Sequence, residues 1–383
     1  MTAGLSTTLS GRRIGLVTAS ASRLGGGVFE AVIAQSEIIR SLGGEPAVFA
    51  LADADSARDR PRFGSTSVIT VPVFGPRQIG YAPDLVRALL RAELDCLHLH
   101  GLWMYPSAAG SRWAAKTGRA YIVSPHGMLA PWITSRGKWK KALARAGYER
   151  QNWRRAGALH ALTRAEREDI AAESGREDAT IIPNAAGGIT SQIRPTLPQP
   201  IFTYIGRIHP KKNLEALVNA WHGLKKPAGA RLQIAGWGDE PAVGRLRQAM
   251  SGGDGSATFL GPVYGNEKIA LLDQSRFVVL PSHSEGLPMA ILEAWARGVP
   301  TIQTEECHLP EGFESDSAID CGYASASIAR ALSEALTMEA ARWQKMSRAA
   351  LDLARTRFSS DRVASLWANV YAGLMQPSSS NRL

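Results

Sequence analysis

Cysteine is scarce in this chain of 383 residues, and its three copies, Cys96, Cys307 and Cys321, lie far apart. Such cysteines suggest neither a disulfide framework nor a metal site, so we expect all three to be reduced and buried. Long apolar runs are also missing, because no stretch reaches the roughly 18 residues that a membrane-spanning helix needs. The opening segment, MTAGLSTTLSGRRIG, lacks the apolar centre of a signal peptide. The sequence therefore predicts a cytoplasmic protein.

The chain has fewer acidic than basic residues. It contains 34 Asp and Glu and 44 Lys and Arg, which gives a formal net charge of +10. This excess indicates an anionic partner, which is nucleic acid, an anionic membrane surface or a phosphorylated substrate. Hydrophobic residues make up 45% of the chain and charged residues 20%, a balance typical of globular proteins. At this length a single core is unusual, so we expect two domains of nearly equal size.

Part of the positive charge is concentrated between Trp132 and Arg155, a stretch called the basic segment below. Glu149 is its only acidic residue, and Trp132, Trp139 and Trp153 are interleaved with the cations. Its basic residues are Arg136, Lys138, Lys140, Lys141, Arg145, Arg150, Arg154 and Arg155. Two interpretations stay open: the segment lies on an anionic membrane surface, or it is an ordinary helix with a solvated basic face.

Short apolar runs alternate with helical patterns along the chain, which predicts parallel, doubly wound sheets. In the first half the predicted strands are 14–18, 47–51, 67–73, 96–100 and 121–124, with helices over 29–42, 83–92 and after Pro106. A second series has strands 202–205, 232–235, 258–260, 277–280 and 301–303, with helices that begin near Asn213, Pro241, Asn266 and Pro288.

The stretch 187–200 contains three prolines and has neither a helical nor a strand period, so it predicts the interdomain linker. The expected domains are 1–190, 191–359 and a final part over 360–383. That final part comprises a helix over 360–374, which we expect to pack back across the domain junction, and a frayed tail, PSSSNRL.

Glycines and charged residues directly follow several predicted strands, where ligands of open parallel sheets bind. Gly25, Gly26 and Gly27, the glycine loop, lie between the first strand and the first helix. Their backbone N–H groups could approach a phosphate at the helix N-terminus, or the loop is merely flexible. Arg207, Lys211 and Lys212 precede a second helix.

Cations at a helix N-terminus oppose the helix dipole, and a bound diphosphate would remove that conflict. The alternative is a solvated basic turn. The run PSHSEGLPMAILE, over 281–293, places Glu285 in a turn and Glu293 on a helix. Among its apolar neighbours Glu293 would be costly without a partner, and a ribose would satisfy it. A helix-surface carboxylate is the equally open alternative.

Histidines mark the ends of two more predicted strands. His126, in SPHGML, lies beside a glycine and can donate a hydrogen bond to a developing charge. His98 and His100, in HLHGLW, share one face of a strand, but without a third ligand nearby they do not predict a zinc site. We interpret His98 as a satisfied core histidine.

The order of several features along the chain resembles the retaining glycosyltransferases with the GT-B fold. These features are the glycine loop, His126, the segment 206–212, the glycines 236 and 238 and the glutamates eight residues apart. That family is typified by sucrose-phosphate synthase and bacterial mannosyltransferases. The resemblance covers nearly the whole chain and implies an α/β fold of two doubly wound Rossmann-like domains that face a cleft, with a C-terminal helix that crosses back. The first domain would bind the acceptor and the second the nucleotide-sugar donor.

The resemblance also implies roles for individual residues. Arg207 and Lys212 would hold the donor diphosphate, and Glu293 would bind the ribose hydroxyls. Glu285 would contact the donor sugar.

Backbone groups and a histidine complete the implied site. The backbone of Gly286 and Leu287 would support the sugar and the phosphate, and His126 would donate to a sugar hydroxyl. Gly26 and Gly27 would close on the phosphates from the other domain.

The expected activity is retaining transfer of a hexosyl unit from a UDP- or GDP-sugar to a saccharide or lipid-linked acceptor, without a metal or another cofactor. HGLWMYPS and SPHGML are similar to the branch that builds bacterial exopolysaccharides and lipopolysaccharides, which would place the protein on the inner face of the cell membrane. The alternatives are a catalytically silent relative that regulates a partner, a nucleic-acid binder that uses the basic segment, and a sugar-nucleotide epimerase of similar fold.

Overall fold

The computed structural model describes residues 8–135 and 137–376 and divides into two compact units. The first unit comprises the chain up to Pro183 together with the residues from Asp361 onward, and the second comprises Asn184–Ser360. Arg136 of the basic segment, residues 1–7 and the predicted tail 377–383 lie outside the described residues.

The first unit contains a seven-stranded sheet in which all paired strands are parallel. The order across the sheet is β3-β2-β1-β4-β5-β6-β7. The strands are β1 (Arg13–Thr18), β2 (Glu45–Leu51), β3 (Ser67–Val71), β4 (Cys96–His100), β5 (Tyr121–Ser124), β6 (Ala158–Ala161) and β7 (Thr180–Ile181). The helices are α1 (Gly27–Ser41), α2 (Ser56–Asp59), α3 (Pro83–Arg91), α4 (Tyr105–Thr117), α5 (Pro131–Thr134), α6 (Lys138–Ala144), α7 (Arg150–Arg155) and α8 (Arg164–Ser174).

The second unit contains a six-stranded parallel sheet of the order β10-β9-β8-β11-β12-β13. Its strands are β8 (Ile201–Ile205), β9 (Arg231–Ala235), β10 (Ala257–Gly261), β11 (Phe277–Leu280), β12 (Thr301–Gln303) and β13 (Ala318–Asp320). Its helices are α9 (Leu214–His222), α10 (Glu240–Met250), α11 (Gly265–Gln274), α12 (Met289–Ala296), α13 (Pro310–Glu314), α14 (Ser325–Leu336) and α15 (Ala340–Arg357).

The predicted alternation of strands and helices is confirmed in both units. The boundaries of β4, β5, β11 and β12 agree with the sequence prediction. Three strands were not predicted, namely β6, β7 and β13. They have two to four residues, and His160 interrupts the apolar run of β6. The three cysteines are free and buried, as expected.

The order of strands reverses between β1 and β4 in the first sheet and between β8 and β11 in the second. At such a reversal the loops that follow the two strands diverge, and open parallel sheets bind ligands there. The glycine loop follows β1 and His100 ends β4, while Arg207 follows β8 and Glu285 follows β11. Within each unit, the topology therefore gathers groups singled out from the sequence at one sheet edge.

The last helix, α16 (Ser360–Met375), belongs to the first unit from Asp361 onward. Its Trp367 and Tyr371 are buried, with 3% and 0% of their surfaces exposed. The Tyr371 hydroxyl accepts a hydrogen bond of 3.0 Å from Gln35 Nε2 on α1 and lies 2.9 Å from His98 Nδ1 on β4. The C-terminal helix is thus tied to the sheet of the first unit by buried polar contacts.

Candidate functional site

The glycine loop of the first unit leads directly into a helix of fifteen residues. Gly26 has φ 56° and ψ −131°, a conformation that residues with a Cβ rarely adopt. A Cβ at Gly26 or Gly27 would meet no atom within 4 Å, so backbone conformation rather than space requires glycine at Gly26. The first N–H groups of a helix have no intrahelical acceptor and favour an anion. The loop therefore has the geometry of a phosphate site, and phosphate binding there stays a prediction.

Asp53, just beyond β2, orders the turn that precedes the glycine loop. Its Oδ2 accepts hydrogen bonds from Ser20 Oγ at 2.6 Å and from Ser22 Oγ at 2.9 Å. Burial opposes ionisation of Asp53, but hydrogen bonds from Ser20, Ser22 and Ser56 hold the pKa of its carboxyl below the ordinary value. Asp53 carries no signal in the sequence, because its serine partners lie about thirty residues away along the chain.

His126 is held in a left-handed conformation, with φ 54°, at the start of the loop that follows β5. The next residue, Gly127, donates its N–H to Glu166 Oε1 at 2.5 Å. His126 Nε2 lies 2.9 Å from His100 Nδ1, and the two rings stack with centroids 5.2 Å apart. Burial lowers the pKa of His126 to about 3, so the imidazole is neutral at physiological pH. Because Nε2 is engaged, a sugar hydroxyl would meet Nδ1.

A second histidine chain runs through the core of the same unit. His160 Nε2 must donate to the Ile182 carbonyl, 2.8 Å away, so His160 Nδ1 accepts from Ser124 Oγ at 2.7 Å. Ser124 Oγ in turn accepts from His98 Nε2 at 2.6 Å, which leaves His98 Nδ1 to accept from Tyr371 at 2.9 Å. Each histidine is thereby fixed as one neutral tautomer, and the interpretation of His98 as a satisfied core residue is confirmed.

A cavity of about 270 Å³ lies beside the ends of β1, β2 and β4. Its lining is largely apolar and includes Leu51, Met104 and Met128. His100 also lines the cavity and is 4% exposed, and its Nε2 has no hydrogen-bond partner among the residues that the structure describes. An unpaired buried polar group costs roughly 1–3 kcal/mol. The unpaired Nε2 of His100 therefore lowers the stability of the folded state.

In the second unit, Lys212 Nζ forms an ion pair with Glu285 Oε1 at the carboxyl ends of β8 and β11. Both side chains are largely buried, with 11% and 7% of their surfaces exposed, and Ser282 Oγ donates a second hydrogen bond of 2.6 Å to Glu285. The structure thus brings together two predicted site residues that are 73 positions apart in the chain. Their pairing satisfies both charges within the protein.

Lys211 and Lys212 lie in a 3-10 turn, Pro210–Lys212, that precedes α9, as the sequence predicted. The Lys211 carbonyl accepts a hydrogen bond of 2.8 Å from the His283 N–H, which joins this turn to the loop after β11. Burial lowers the pKa of Lys211, and the neighbouring Lys212 adds to that shift. The mutual repulsion of these ammonium groups would be relieved by an anion.

Arg207 is exposed, and its guanidinium lies 5.2 Å from the centroid of the Trp237 ring. A backbone hydrogen bond joins the loop after β8 to the loop after β9, since Ile208 N donates to the Trp237 carbonyl at 2.7 Å. A Cβ at Gly236 would lie 1.7 Å from the Gly206 carbonyl oxygen, so only glycine permits this close approach. The glycines 236 and 238 therefore shape the loop that carries Arg207.

Glu293 is not the unpaired carboxylate that the sequence suggested. Lys268 Nζ on α11 lies 2.6 Å from its Oε1, and 23% of the Glu293 side chain is exposed. The ion pair removes the cost that the sequence argument assigned to this residue. No local spacing could have revealed Lys268, because it is 25 positions away on another helix.

Gly286 and Leu287 lie in the turn that connects β11 to α12. Gly286 is half-buried, with no atom within 4 Å of the position where a Cβ would be. Leu287 is 9% exposed. The contacts of this backbone with a sugar or a phosphate stay a prediction.

From Lys138 to Arg155 the basic segment is continuously helical, and the π-helical turn Arg145–Glu149 joins α6 to α7. Trp139 and Leu143 are 67% and 66% exposed, whereas Trp153 is 1% exposed and belongs to the core. Glu149 is also buried and accepts a hydrogen bond of 2.6 Å from the Trp103 N–H. The interpretation of Trp153 as part of the basic surface is therefore wrong. Among the residues that the structure describes, no helix combines the length and apolarity required to cross a membrane.

The two units match two protein families. Residues 26–185 match the Glycosyl transferase 4-like domain, and residues 199–338 match Glycosyl transferases group 1.

Two curated proteins are similar to shorter parts of the chain. The amylovoran biosynthesis glycosyltransferase AmsK of Erwinia amylovora is 31% identical over 133 residues, 32% of this chain and 32% of that protein. The O-antigen chain mannosyltransferase B of Escherichia coli is 32% identical over 115 residues, 28% of this chain and 29% of that protein. The chain thus spans about a third or less of the length of these relatives.

Solved structures are similar over nearly the whole chain. Anabaena HepE in complex with UDP and glucose has a TM-score of 0.76 at 16% identity, over 94% of this chain and all of that one. Sucrose-phosphate synthase from Thermosynechococcus elongatus has a TM-score of 0.72 at 17% identity, over 95% of this chain and 99% of that one. At such identities the likeness shows the fold, and the predicted GT-B class is confirmed.

The buried histidines predict that stability falls in acid. Burial lowers the pKa of His160 to about 4, whereas a histidine of the unfolded chain titrates near its ordinary 6.5. Between these values the unfolded chain binds the extra proton, so the free energy of unfolding decreases as the pH falls. Each such histidine contributes about 1.4 kcal/mol per pH unit.

Urea unfolding of the wild type and of His160→Gln between about pH 6 and about pH 4.5 measures this contribution. We expect the slope of the unfolding free energy against pH to be shallower in His160→Gln by about 1.4 kcal/mol per unit. His283→Gln removes an exposed histidine and serves as the control for the substitution itself. Equal slopes in the wild type and His160→Gln would show that folded His160 titrates normally.

Proposed function

We propose that the chain, whose two units match the Glycosyl transferase 4-like domain and Glycosyl transferases group 1, transfers a hexosyl unit from a UDP- or GDP-sugar to a hydroxyl acceptor. The acceptor is a saccharide or a lipid-linked saccharide of bacterial surface polysaccharide synthesis. The names of the relatives from Erwinia amylovora and Escherichia coli support this assignment. The observation that carries the proposal is the cationic loop at the carboxyl ends of β8 and β11.

In that loop, Arg207, Lys211 and Lys212 lie within six residues of the chain, and Lys212 pairs with Glu285. These three cations concentrate positive charge at a sheet edge where parallel sheets bind ligands. A donor diphosphate would neutralise this positive charge and would compete with Glu285 for the Lys212 ammonium. Glu285 would then be able to accept a hydrogen bond from a hydroxyl of the donor sugar.

The proposed donor contacts include further groups of each unit. Glu293 would bind the ribose hydroxyls and share its carboxylate with Lys268. The backbone of Gly286 and Leu287 would support the sugar and the phosphate. In the first unit, the glycine loop would bind the phosphates and neutral His126 would donate to a sugar hydroxyl through Nδ1.

We propose that transfer proceeds with retention of configuration. The acceptor oxygen forms a bond to the anomeric carbon on the face that the diphosphate leaves, while the bond from that carbon to the phosphate oxygen breaks. The proton of the acceptor hydroxyl passes to the departing phosphate. Arg207 and Lys212 stabilise the charge that develops on the diphosphate, a role that a divalent metal fills in other sugar transferases. No metal or further cofactor takes part in the proposed reaction.

A thermal-shift panel with UDP, GDP, ADP and dTDP tests the donor site. We expect the Tm to rise for UDP or GDP, because a ligand at about 100 times its Kd adds about 2.7 kcal/mol to the stability of the folded state. The rise should persist in EDTA and should shrink in Glu293→Ala, measured against the ligand-free Tm of each variant.

Glu314→Ala, which removes an exposed carboxylate of the same unit, is the matched control and should respond like the wild type. If none of the four nucleotides raises the Tm, the chain does not bind a nucleotide-sugar donor as proposed. A rise in Tm that EDTA abolishes would show that a metal ion binds the diphosphate, contrary to the proposal.

Turnover of the donor that the thermal-shift panel identifies tests the role of Arg207. We expect Arg207→Ala to lower kcat by a factor of about 10² to 10³, because one preorganised donor to the developing charge is lost. Its folding stability should hardly change, since Arg207 is exposed. Lys212→Ala is a weaker test, because it would leave Glu285 buried without its partner.

Arg330→Ala removes an exposed arginine of α14 and should turn over at the rate of the wild type. Equal kcat values for Arg207→Ala and Arg330→Ala would refute the assignment of Arg207. The anomeric configuration of the product, read by NMR, separates retention from inversion in the same reaction.

We further propose that the basic segment binds the anionic inner face of the cell membrane and brings the protein to a lipid-linked acceptor. Trp139 and Leu143 are exposed, and their spacing of four residues places them on one side of α6. Lys138 and Lys140 are exposed as well. Apolar anchors flanked by lysines are the composition of a helix that lies in a membrane interface.

Flotation with vesicles that contain phosphatidylglycerol tests this surface. We expect binding at low salt that weakens as the ionic strength rises, because each cation near an anionic surface contributes about 1 kcal/mol. The double variant Trp139→Ala, Leu143→Ala should bind less, while Tyr264→Ala, an exposed aromatic residue of the second unit, should bind normally. Absence of binding at low salt would exclude the membrane role.

A further inference from the structure

Two residues in neighbouring loops of the first unit adopt left-handed backbone conformations without being glycine. Trp103, in the loop after β4, has φ 72°, and His126, in the loop after β5, has φ 54°. Such a conformation costs free energy in a residue with a side chain, and it persists only where the surrounding contacts hold it. The contacts that hold Trp103 and His126 therefore shape both loops.

Trp103 is joined to the loop of His126 by its indole ring. Its Nε1 donates a hydrogen bond of 3.1 Å to the carbonyl of Met128, two residues beyond His126. The preceding residue, Leu102, donates its N–H to Met128 Sδ at 3.2 Å. The loop after β4 thus holds the loop after β5 close to the histidine.

The backbone of Trp103 is held in turn by the π-helical turn of the basic segment. Glu149 Oε1 accepts the Trp103 N–H at 2.6 Å, and the Tyr148 hydroxyl donates to the Trp103 carbonyl at 2.8 Å. Turns of this kind are rare and are found frequently at functional sites. Two consecutive side chains of the turn thereby bind both backbone polar groups of one strained residue.

The ring of Trp103 is restrained as well. Lys141 Nζ lies 5.9 Å and Arg145 Cζ lies 5.7 Å from the ring centroid, distances at which a cation is attracted to an indole face. The ring also packs at a right angle to Trp153, with centroids 5.8 Å apart. These contacts restrict the indole to the orientation in which Nε1 meets the Met128 carbonyl.

Glu149 is fully buried, and neutral groups donate hydrogen bonds to it. Besides the Trp103 N–H, these donors are Asn152 Nδ2 at 3.1 Å and the Ser107 hydroxyl. A buried carboxylate is costly, and a well-packed apolar side chain would avoid that cost. Stability of the fold therefore does not explain a glutamate at this position, whereas the need for a fixed acceptor opposite Trp103 does.

We propose that Glu149 is a positioning residue for the proposed glycosyl transfer and acts through Trp103 to hold the loop of His126. The proposal rests on the proposed function, because that function assigns His126 a hydrogen bond to a sugar hydroxyl. A displacement of about 1 Å in a reacting geometry can lower a rate by a factor of about 10². A side chain that touches no substrate can therefore control the rate through the loop that it holds.

Two substitutions of Glu149 separate its acceptor role from its place in the core. Glu149→Gln keeps a carbonyl oxygen for the Trp103 N–H. Asn152 Oδ1, which has no partner among the residues that the structure describes, can accept from the new amide once the Asn152 amide turns over. Glu149→Leu fills the same space but leaves the Trp103 N–H without an acceptor.

An independent variant and a control complete the set. Trp103→Phe removes the indole donor to Met128 and leaves Glu149 in place, so it tests the proposal even if Glu149→Leu does not fold. Glu168→Leu changes an exposed glutamate of α8 in the same unit and is the matched control. Urea unfolding of each variant establishes which of them are folded before they are compared.

Methyl NMR of the full chain, labelled at methionine, reports the position of the loop without any substrate. The Met128 signal is identified by its loss in Met128→Leu. We expect this signal to move in Glu149→Leu and to stay near its wild-type position in Glu149→Gln and Glu168→Leu. A Met128 signal that stays in place in folded Glu149→Leu would overturn the proposal.

Turnover shows whether the effect reaches the reaction through His126. We expect Glu149→Leu and Trp103→Phe each to lower kcat by about tenfold, and Glu149→Gln and Glu168→Leu to retain most of it. The Tm shift with UDP or GDP should be unchanged, because the cationic loop lies in the second unit. In a His126→Ala background the same substitutions should lower kcat by less than about twofold, since their route through His126 is already lost.

An equal loss of kcat in both backgrounds would overturn the proposal, because Glu149 would then act on the fold rather than through His126. A kcat that neither Glu149→Leu nor Trp103→Phe lowers would also overturn it. A wild type that neither binds a nucleotide nor turns over a nucleotide sugar refutes the proposed function instead. The Met128 signal then decides by itself whether Glu149 holds the loop.

Discussion

The parallel pairing of every strand in both sheets is the constraint on which the rest of the structure depends. Parallel strands all end at one edge, so the loops that carry chemistry meet there, whatever their distance in sequence. In the first unit this edge holds the glycine loop, His100 and His126, and in the second it holds Arg207, Lys212 and Glu285. The helices between the strands supply the length of chain that each crossover requires.

Two different arrangements reduce the free-energy cost of burying polar groups at these sheet edges. The histidines of the first unit are neutral, because burial lowers their pKa and hydrogen bonds fix the tautomers of His98 and His160. The second unit keeps charges and pairs them, as Lys212 does with Glu285 and Lys268 with Glu293. A neutral edge suits uncharged sugar hydroxyls, whereas a cationic edge suits phosphate.

The C-terminal helix contributes to the first unit through the same buried polar chemistry. Tyr371 begins a hydrogen-bond chain that passes through His98 and Ser124 and ends at the His160 bond to a backbone carbonyl. Because every member has one assigned donor and acceptor, loss of one member leaves its neighbours unpaired in the core. The helix and the strands β4, β5 and β6 are therefore coupled in stability.

The sequence by itself determined the fold class and the elements that carry the candidate site, because apolar runs of strand length and glycines after them are local signals. It also indicated Arg207, Lys212, Glu285 and His126 as groups that follow strands. Only the tertiary structure decided their partners. The pairing of Glu293 with Lys268, the burial of Trp153 and the place of His100 in the lining of a cavity depend on which crossovers bring distant residues together. Such contacts leave no periodic or spacing signal in the chain, since the packing of whole helices on a sheet sets them.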